Sequence, residues 1–435
     1  YRQKVEETHR DVLQFAHIGD GEILSVSGVG QEHTYGRHVY RKGADIAHSL
    51  RFYMGDSAFF KAIKSIMNSK MYGNMDSRQL MDSFQTYTSN DLESFYKGWV
   101  IGKGFTHLSV KTLNTRKLGS EYQTEVGILQ RNRWDGTPHE TVPVEVYLLK
   151  PDFTFEIKRV LATKFQSNFQ FNTNYEPLAV GLDIDAKLSD ATTDTFRMVE
   201  NPGIYNFEDG LMEVEAVQVP EKTFLHITHH WIGADNSTSV DALPVLSRDR
   251  YWSVEGYIPD GFKAKATVQY NGQTARLSGD FFLDNQLVRG NEDSLVLMYR
   301  PDALSSWNIA DAELQTGNSK FDRLGSFIIN DLKAGEYTMA IYNQALATGS
   351  IKNSSDLVLY PNPTDGLLHV EFKSFTEPGY IMITDSTGKI VLKKAIRNTQ
   401  NNMDLNTENW SAGTYKVLLT YPDGNNESVS FSVIK

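Results

Sequence analysis

The 435-residue chain is 40% hydrophobic and 22% charged, the balance of a folded protein, and its length calls for several domains. A formal net charge of -11 leaves no basic field for a phosphate backbone, so nucleic acid is not an expected partner, and no apolar run approaches transmembrane length. With no cysteine, disulfides, thiolate metal sites and a cysteine nucleophile are all excluded.

The chain begins YRQKVEETHRDVLQFAHIGDG, without an initiator methionine or a signal-like apolar segment, and reads as the later part of a longer polypeptide. Residues 1–104 are helix-patterned. Tyr1, Val5, Val12, Leu13 and Phe15 mark an opening helix, and the loop GDGEILSVSGVG follows it. In HTYGRHVYRKGADIAHSLRFYMG, residues 33–55, the three- and four-residue spacing of Ile46, Ala47, Leu50, Tyr53 and Met54 predicts one buried stripe that ends at Gly55. Asp56 is expected to cap DSAFFKAIKSIMNSK, Asp76 or Ser77 to cap RQLMDSFQTY, and Asn90 with Glu93 to start DLESFYKGWVIG as a capping box. Four or five helices fit this region.

After Gly104 the hydrophobic period changes to alternation. THLSVKTL, YQTEVGILQ, VPVEVYLL, FTFEIKRVL and PLAVGLDI predict strands of a β-sandwich over residues 105–190. A less regular second β-rich domain is expected over 191–346, with FLHITHHWIG, KATVQYNG, TARLSGDFFL, DSLVLMY and YTMAIYN as clear strands. Residues 347–355 read as a linker. The final unit, 356–435, alternates strictly at Leu368, Val370, Phe372 and at Val429, Phe431, Val433. Turns at Asp365-Gly366, Thr387-Gly388 and Asp423-Gly424 punctuate it, as a small seven-strand sandwich requires.

Metal and nucleophile motifs fail on geometry. His139-Glu140 has no second histidine at helical spacing, and Pro143 would interrupt the helix, so the pair reads as a strand surface. In HITHHW, a strand puts His226 and His230 on one face about 13 Å apart and turns His229 away, too wide for one ion, so structural or surface histidines are expected. Asp183 and Asp185 lack the glycine and further ligands of a calcium loop and read as turn acids. GVGQEH is framed by neither a strand nor a third glycine, and no Gly-x-Ser-x-Gly elbow occurs.

TYGRHVYRKGADIAHSLRFYMGDSAFFKAI, followed by DSRQLMDSFQTYTSNDLESFYKGWVIGKG, resembles the zinc aminopeptidase N-like (gluzincin) metallopeptidases downstream of their metal site, over residues 1 to about 185. The resemblance implies that Tyr40 is a catalytic, transition-state-stabilising tyrosine and Tyr35 a second active-site tyrosine. A tyrosine hydroxyl keeps its proton at neutral pH and so can donate to a developing oxyanion. It also implies zinc in the parent protein and peptides as substrates. The family's His-Glu-x-x-His helix occurs nowhere in these residues, so this chain is expected to bind no zinc and to be inactive alone. Phe105-Thr106 stands where the family has an aromatic residue and proline.

The last eighty residues resemble the type A carboxy-terminal sorting domain of type IX secretion. Pro361, Asn362 and Pro363, then Asp385 and Gly388, then Gly413 and Tyr415, and a terminal Lys435 fall in that family's order. The resemblance implies the type IX machinery as a partner and a secreted or outer-membrane-surface location in a gram-negative bacterium. The expected architecture is therefore multidomain, α then β: a gluzincin-type helical subdomain, β-sandwich domains and a small terminal β-sandwich. The expected function is the later part of an exported aminopeptidase-like zinc metallopeptidase. The alternative is a non-catalytic, surface-exposed binding module that keeps a relic peptidase bundle.

Overall fold

The computed structural model describes residues 1–134, 139–163, 165–235, 244–273, 283–288, 292–342, 357–372, 379–385, 389–396, 401–420 and 426–435. A few helices come first and many strands in several sheets follow. Two units separate, Tyr1–Asn343 and Gln344–Lys435.

The first unit opens with α1 (Arg2–Gly19), α2 (Gly43–Met54), α3 (Asp56–Ser69), α4 (Ser77–Gln85) and the short α5 (Leu92–Phe95). Val12, Leu13 and Ala16 bury one face of α1, whereas Tyr1 is exposed. On α2 the expected stripe holds at Ile46, Leu50, Tyr53 and Met54, but Ala47 faces solvent. Asp45 and Ser49 are buried instead, because each finds a polar partner: His9 at 2.8 Å and Ser189 at 2.8 Å. Gly55, at φ +79°, ends α2 and returns its N–H to the Arg51 carbonyl, a conformation that a Cβ would strain.

Two expected caps differ. Asp56 is the first residue of α3 and caps nothing; Arg51, five residues earlier, holds both its carboxylate oxygens at 2.7 Å. Asp76 does form a capping box with Gln79. At α5 the cap is Asp91, which accepts the Glu93 N–H, while Asn90 donates its side-chain amide to the Tyr53 carbonyl.

Strands β1 (Phe105–Leu118), β2 (Glu121–Arg133), β3 (Thr141–Leu149), β4 (Phe155–Thr163), β5 (Gln166–Thr173) and β6 (Ala179–Leu182) form two three-stranded sheets, ordered β1-β2-β5 and β4-β3-β6. The middle strand β3 is buried along nearly its whole length, which explains its run of Val, Tyr and Leu. β5 carries only Phe169 and Phe171 as large apolar residues, too few to betray it in the sequence; it pairs at the edge of β2. One core joins α2, α4 and α5 to both sheets through Ile46, Leu50, Phe84, Phe95, Trp99, Val126, Ile128, Val144 and Leu148. Each such side chain contributes about 1.5–3 kcal/mol on burial.

Beyond residue 191 the unit continues as a seven-stranded sheet, with Thr223–His230 and Tyr251–Tyr257 paired near its middle, and a five-stranded sheet around Lys263–Asn271. Leu225, Ile227, Trp252, Val214, Val268 and Phe327 fill the space they share. Among the described residues no helix is long and apolar enough to cross a membrane.

The second unit has a three-stranded sheet (Val358–Tyr360, Leu367–Glu371, Asn402–Asn406) and a four-stranded one (Ile390–Ile396, Gly379–Asp385, Gly413–Thr420, Asn426–Val433). Leu368, Val370, Ile381, Ile383, Val417, Leu419, Phe431 and Val433 form its core. The expected linker 347–355, the turns at Thr387-Gly388 and Asp423-Gly424, and residues 274–282 of the expected strand TARLSGDFFL lie outside the described residues.

Candidate active site

Tyr40 lies in a π-helical turn, His38–Lys42, that runs directly into α2. Such wide turns are short, cost hydrogen-bond geometry and cluster at functional positions. This one is secured from three sides. Asp20, at the end of α1, accepts the N–H groups of Arg37 and His38, both at 2.9 Å, and meets His38 Nδ1 at 2.7 Å. Gly36 permits the approach, since a Cβ there would lie 2.8 Å from the Asp20 carboxylate. Although burial opposes it, the N–H groups of His38 and Arg37 hold the Asp20 carboxyl below its ordinary range. Asp11 of α1 pairs with Arg37 and Arg41, each at 2.7 Å.

The third anchor is Lys42, whose side chain is fully buried. Its Nζ donates to the carbonyls of Leu24 at 3.3 Å, Lys103 at 2.9 Å and Gly104 at 3.1 Å, and lies 4.2 Å from the centre of the Phe105 ring. Three carbonyls match the three N–H bonds of an ammonium. Burial pulls the Lys42 ammonium down to about 7, with Asp45 opposing the shift.

Tyr40 and Tyr35 point the other way, 59% and 86% exposed, with ring centres 6.2 Å apart and planes 15° from parallel. The structure thus brings the two sequence-singled tyrosines together on one surface. Among the described residues the Tyr40 hydroxyl has no hydrogen-bond partner. Sequence reading took Lys42 only as part of the motif around Tyr40, and it missed Asp20 and His38. The four-residue spacing of His38 and Lys42, opposite Tyr40, was a usable signal; Asp20, across a Gly- and Ser-containing loop, left none.

The histidines elsewhere are structural. His139 is buried edge-on against Trp99, with ring centres 4.7 Å apart, which corrects its assignment to a strand surface: Gly98 leaves room for its ring. His226 bonds Asp194 and Tyr147, and His230 bonds His107 and Ser253. His229, on the opposite face, packs against Trp231 and Trp252. All three are buried, so of the expected structural or surface roles they take the structural one. Asp183 closes a turn by accepting the N–H groups of Lys187 and Leu188. Among the described residues no group of three or more His, Asp or Glu side chains converges closely enough to hold a metal ion. The described residues therefore offer no ligand set for a zinc ion.

In the second unit the residues that the sorting-domain resemblance singled out have defined structural tasks. Asn362 donates to the Ser430 carbonyl at 3.2 Å and accepts the Ser432 N–H at 3.0 Å, which ties the segment Pro361–Pro363 to the last strand. Asp385 accepts the Lys389 N–H at 3.1 Å across a hairpin. Gly413 opens the strand in which Tyr415 stacks on Phe431 and donates to the Ser411 carbonyl at 2.8 Å. Lys435 Nζ reaches the Glu408 carbonyl at 3.1 Å. Gly388 lies outside the described residues.

Residues 2–99 match the family model of the Peptidase family M1 domain, and residues 358–435 match that of the Secretion system C-terminal sorting domain. The resemblance noted over residues 105–185 lies beyond the first match. Aminopeptidase N of Lactococcus lactis subsp. lactis is 27% identical over 110 residues, which is 23% of this chain and 13% of that protein. Among solved structures, Legionella pneumophila aminopeptidase A in complex with aspartic acid matches at 19% identity and a TM-score of 0.31, over 36% of this chain and 18% of that one. Dimeric latent PorU from Porphyromonas gingivalis matches at 8% identity and a TM-score of 0.15, over 77% of this chain and 34% of that one. The chain therefore spans only a small part of the relatives that it matches.

Proposed function

We infer, from a chain that carries peptidase family M1 sequence at residues 2–99 and a secretion sorting domain at residues 358–435, that it belongs to an exported aminopeptidase-like peptidase. In this reading the metal-binding helix is supplied by sequence outside these 435 residues, and zinc, when bound there, supplies the Lewis acid of peptide hydrolysis. Tyr40 is the catalytic residue contributed here. Hydrolysis of a peptide bond builds negative charge on the carbonyl oxygen, and a pre-placed neutral hydroxyl lowers that barrier. The single observation that carries the reading is the exposed Tyr40, its hydroxyl unpartnered among the described residues, on an anchored π-helical turn within the matched segment. Tyr35, stacked beside it, forms part of the same surface. The terminal unit addresses the protein to the type IX machinery and hence to the cell surface or medium.

The test is Tyr40→Phe in the full-length polypeptide. It removes one hydroxyl and almost no packing, so folding and metal content should hold. The turnover number should fall roughly 10²- to 10³-fold, as on loss of one oxyanion donor, with KM little changed. Near-normal turnover would leave Tyr40 a surface residue without a catalytic part.

A further inference from the structure

Resting on that reading of Tyr40, we propose that His38, Asp20 and Lys42 are positioning residues that set where the Tyr40 hydroxyl points. A donor helps an oxyanion only within about 2.7–3.1 Å of its place, and a displacement of about 1 Å costs roughly 10² in rate. Tyr40 cannot secure that placement by itself. The residue is 59% exposed, its ring lies beside that of the still more open Tyr35, and its hydroxyl is unpartnered among the described residues. The placement must come from the backbone of the turn.

That backbone is held by the two inward side chains that flank Tyr40. His38 uses both ring nitrogens: Nδ1 meets Asp20 at 2.7 Å, and Nε2 receives the Leu24 N–H at 3.3 Å. These partners assign the proton to Nδ1 in a neutral ring. Lys42 takes the carbonyl of the same residue, Leu24, at 3.3 Å. The loop at Leu24 is thus gripped by both ends of the turn. Its neighbours Val26 and Ser27 in turn bond the Val100 carbonyl, each at 3.1 Å. Lys42 also bonds Lys103 and Gly104, where the last helical turn passes into β1. Three chain segments, 20–27, 38–42 and 100–104, therefore share one buried polar knot, and Tyr40 stands on its outer side. Such a knot is high-stakes: when satisfied it is rigid, and any lost member leaves buried groups unpaired.

The test combines His38→Asn and Lys42→Met, each alone and on Tyr40→Phe, in the full-length polypeptide. His38→Asn keeps a donor for Asp20 and removes only the acceptor for the Leu24 N–H. Each single substitution should lower kcat by roughly tenfold or more with KM within about twofold, and should add almost nothing on the Tyr40→Phe background. Fully additive losses, or unchanged kcat in a folded His38→Asn protein, overturn the proposal while leaving the role of Tyr40 intact. Normal turnover by Tyr40→Phe alone overturns both. A second readout does not depend on turnover. In protein labelled with fluorotyrosine, the Tyr40 fluorine resonance, assigned by its loss in Tyr40→Phe, should shift or broaden in His38→Asn, while that of the fully exposed Tyr72 stays put. An unmoved Tyr40 resonance counts against the proposal. Should Lys42→Met fail to fold, His38→Asn and Asp20→Asn decide it.

Discussion

His9 of α1 and Asp45 of α2 form a buried ion pair, Nδ1 to Oδ2 at 2.8 Å, and the other ring nitrogen of His9 donates to the Thr192 carbonyl at 2.8 Å. This one side chain links the first two helices to the start of the second β-rich region. Burial alone would discharge it. Asp45, helped by Asp190 and the Thr192 carbonyl, outweighs burial and raises the His9 imidazole to about 9.

A raised histidine stabilises the fold fully below its unfolded value near 6.5, and that contribution is lost as pH rises through about 9. The difference in urea midpoint between the native protein and His9→Gln should therefore shrink between pH 6.5 and 9. A difference that grows over that interval would contradict the assignment. Lys42, lowered to about 7, changes stability in the opposite sense above pH 7, which is why the difference and not the raw curve is read.

Gly98 and His139 make a second testable pair. A Cβ at Gly98 would overlap the His139 ring, which sits edge-on to Trp99. Gly98→Ala should destabilise by about 1–3 kcal/mol through overpacking, and His139→Ala in the same chain should recover part of that loss. Chemical denaturation of the four proteins in the cycle measures it; strictly additive values would show that the two sites do not collide.

On the acid side, burial lowers His139 to about 4. A histidine depressed in the folded state costs stability as pH falls from about 6.5 through 4, because the unfolded chain takes up the proton first. Stability of the first unit should decline over that window, and His139→Gln should decline less steeply. Parallel acid limbs for the two proteins would exclude His139 as the cause.

The two units have separate cores, so residues 1–343 expressed without the remainder should keep the thermal midpoint that the first unit shows in the whole chain. A midpoint lower by several degrees would mean that the units share stabilisation. In the exporting cell, loss of residues 356–435 should leave the protein in the periplasm, as fractionation and blotting would show. Normal delivery to the surface would remove the sorting role.

In the second unit, Asn362→Ala deletes both bonds to the last strand and should cost about 1–2 kcal/mol locally. Amide exchange at Ser432 reports it directly, since its N–H loses its acceptor. Unchanged protection at Ser432 would show that the contact is not formed in solution.

Periodicity and residue type determined the order of helices followed by strands, the stop at Gly55, a cap at Asp76 or Ser77 and the alternating core of the terminal unit. These are local consequences of side-chain spacing, φ preference and turn chemistry, which act within a few residues. The family resemblance carried by TYGRHVYRKG, not periodicity, singled out Tyr35 and Tyr40. What the sequence could not decide were choices made by competing partners, most of them far along the chain. Ala47 yields its place to Asp45 and Ser49 because His9 and Ser189 arrive beside α2. Asp56 leaves its helix end because Arg51 offers a bidentate partner. His139 is buried because Gly98 leaves space for a ring. Asp20, His38 and Lys42 converge only when the loop at Leu24 folds back against the turn, and this brings a carboxylate, an imidazole and an ammonium to one buried point. Burial makes each of those groups demand a partner, and only the tertiary structure can supply one from sixty residues away.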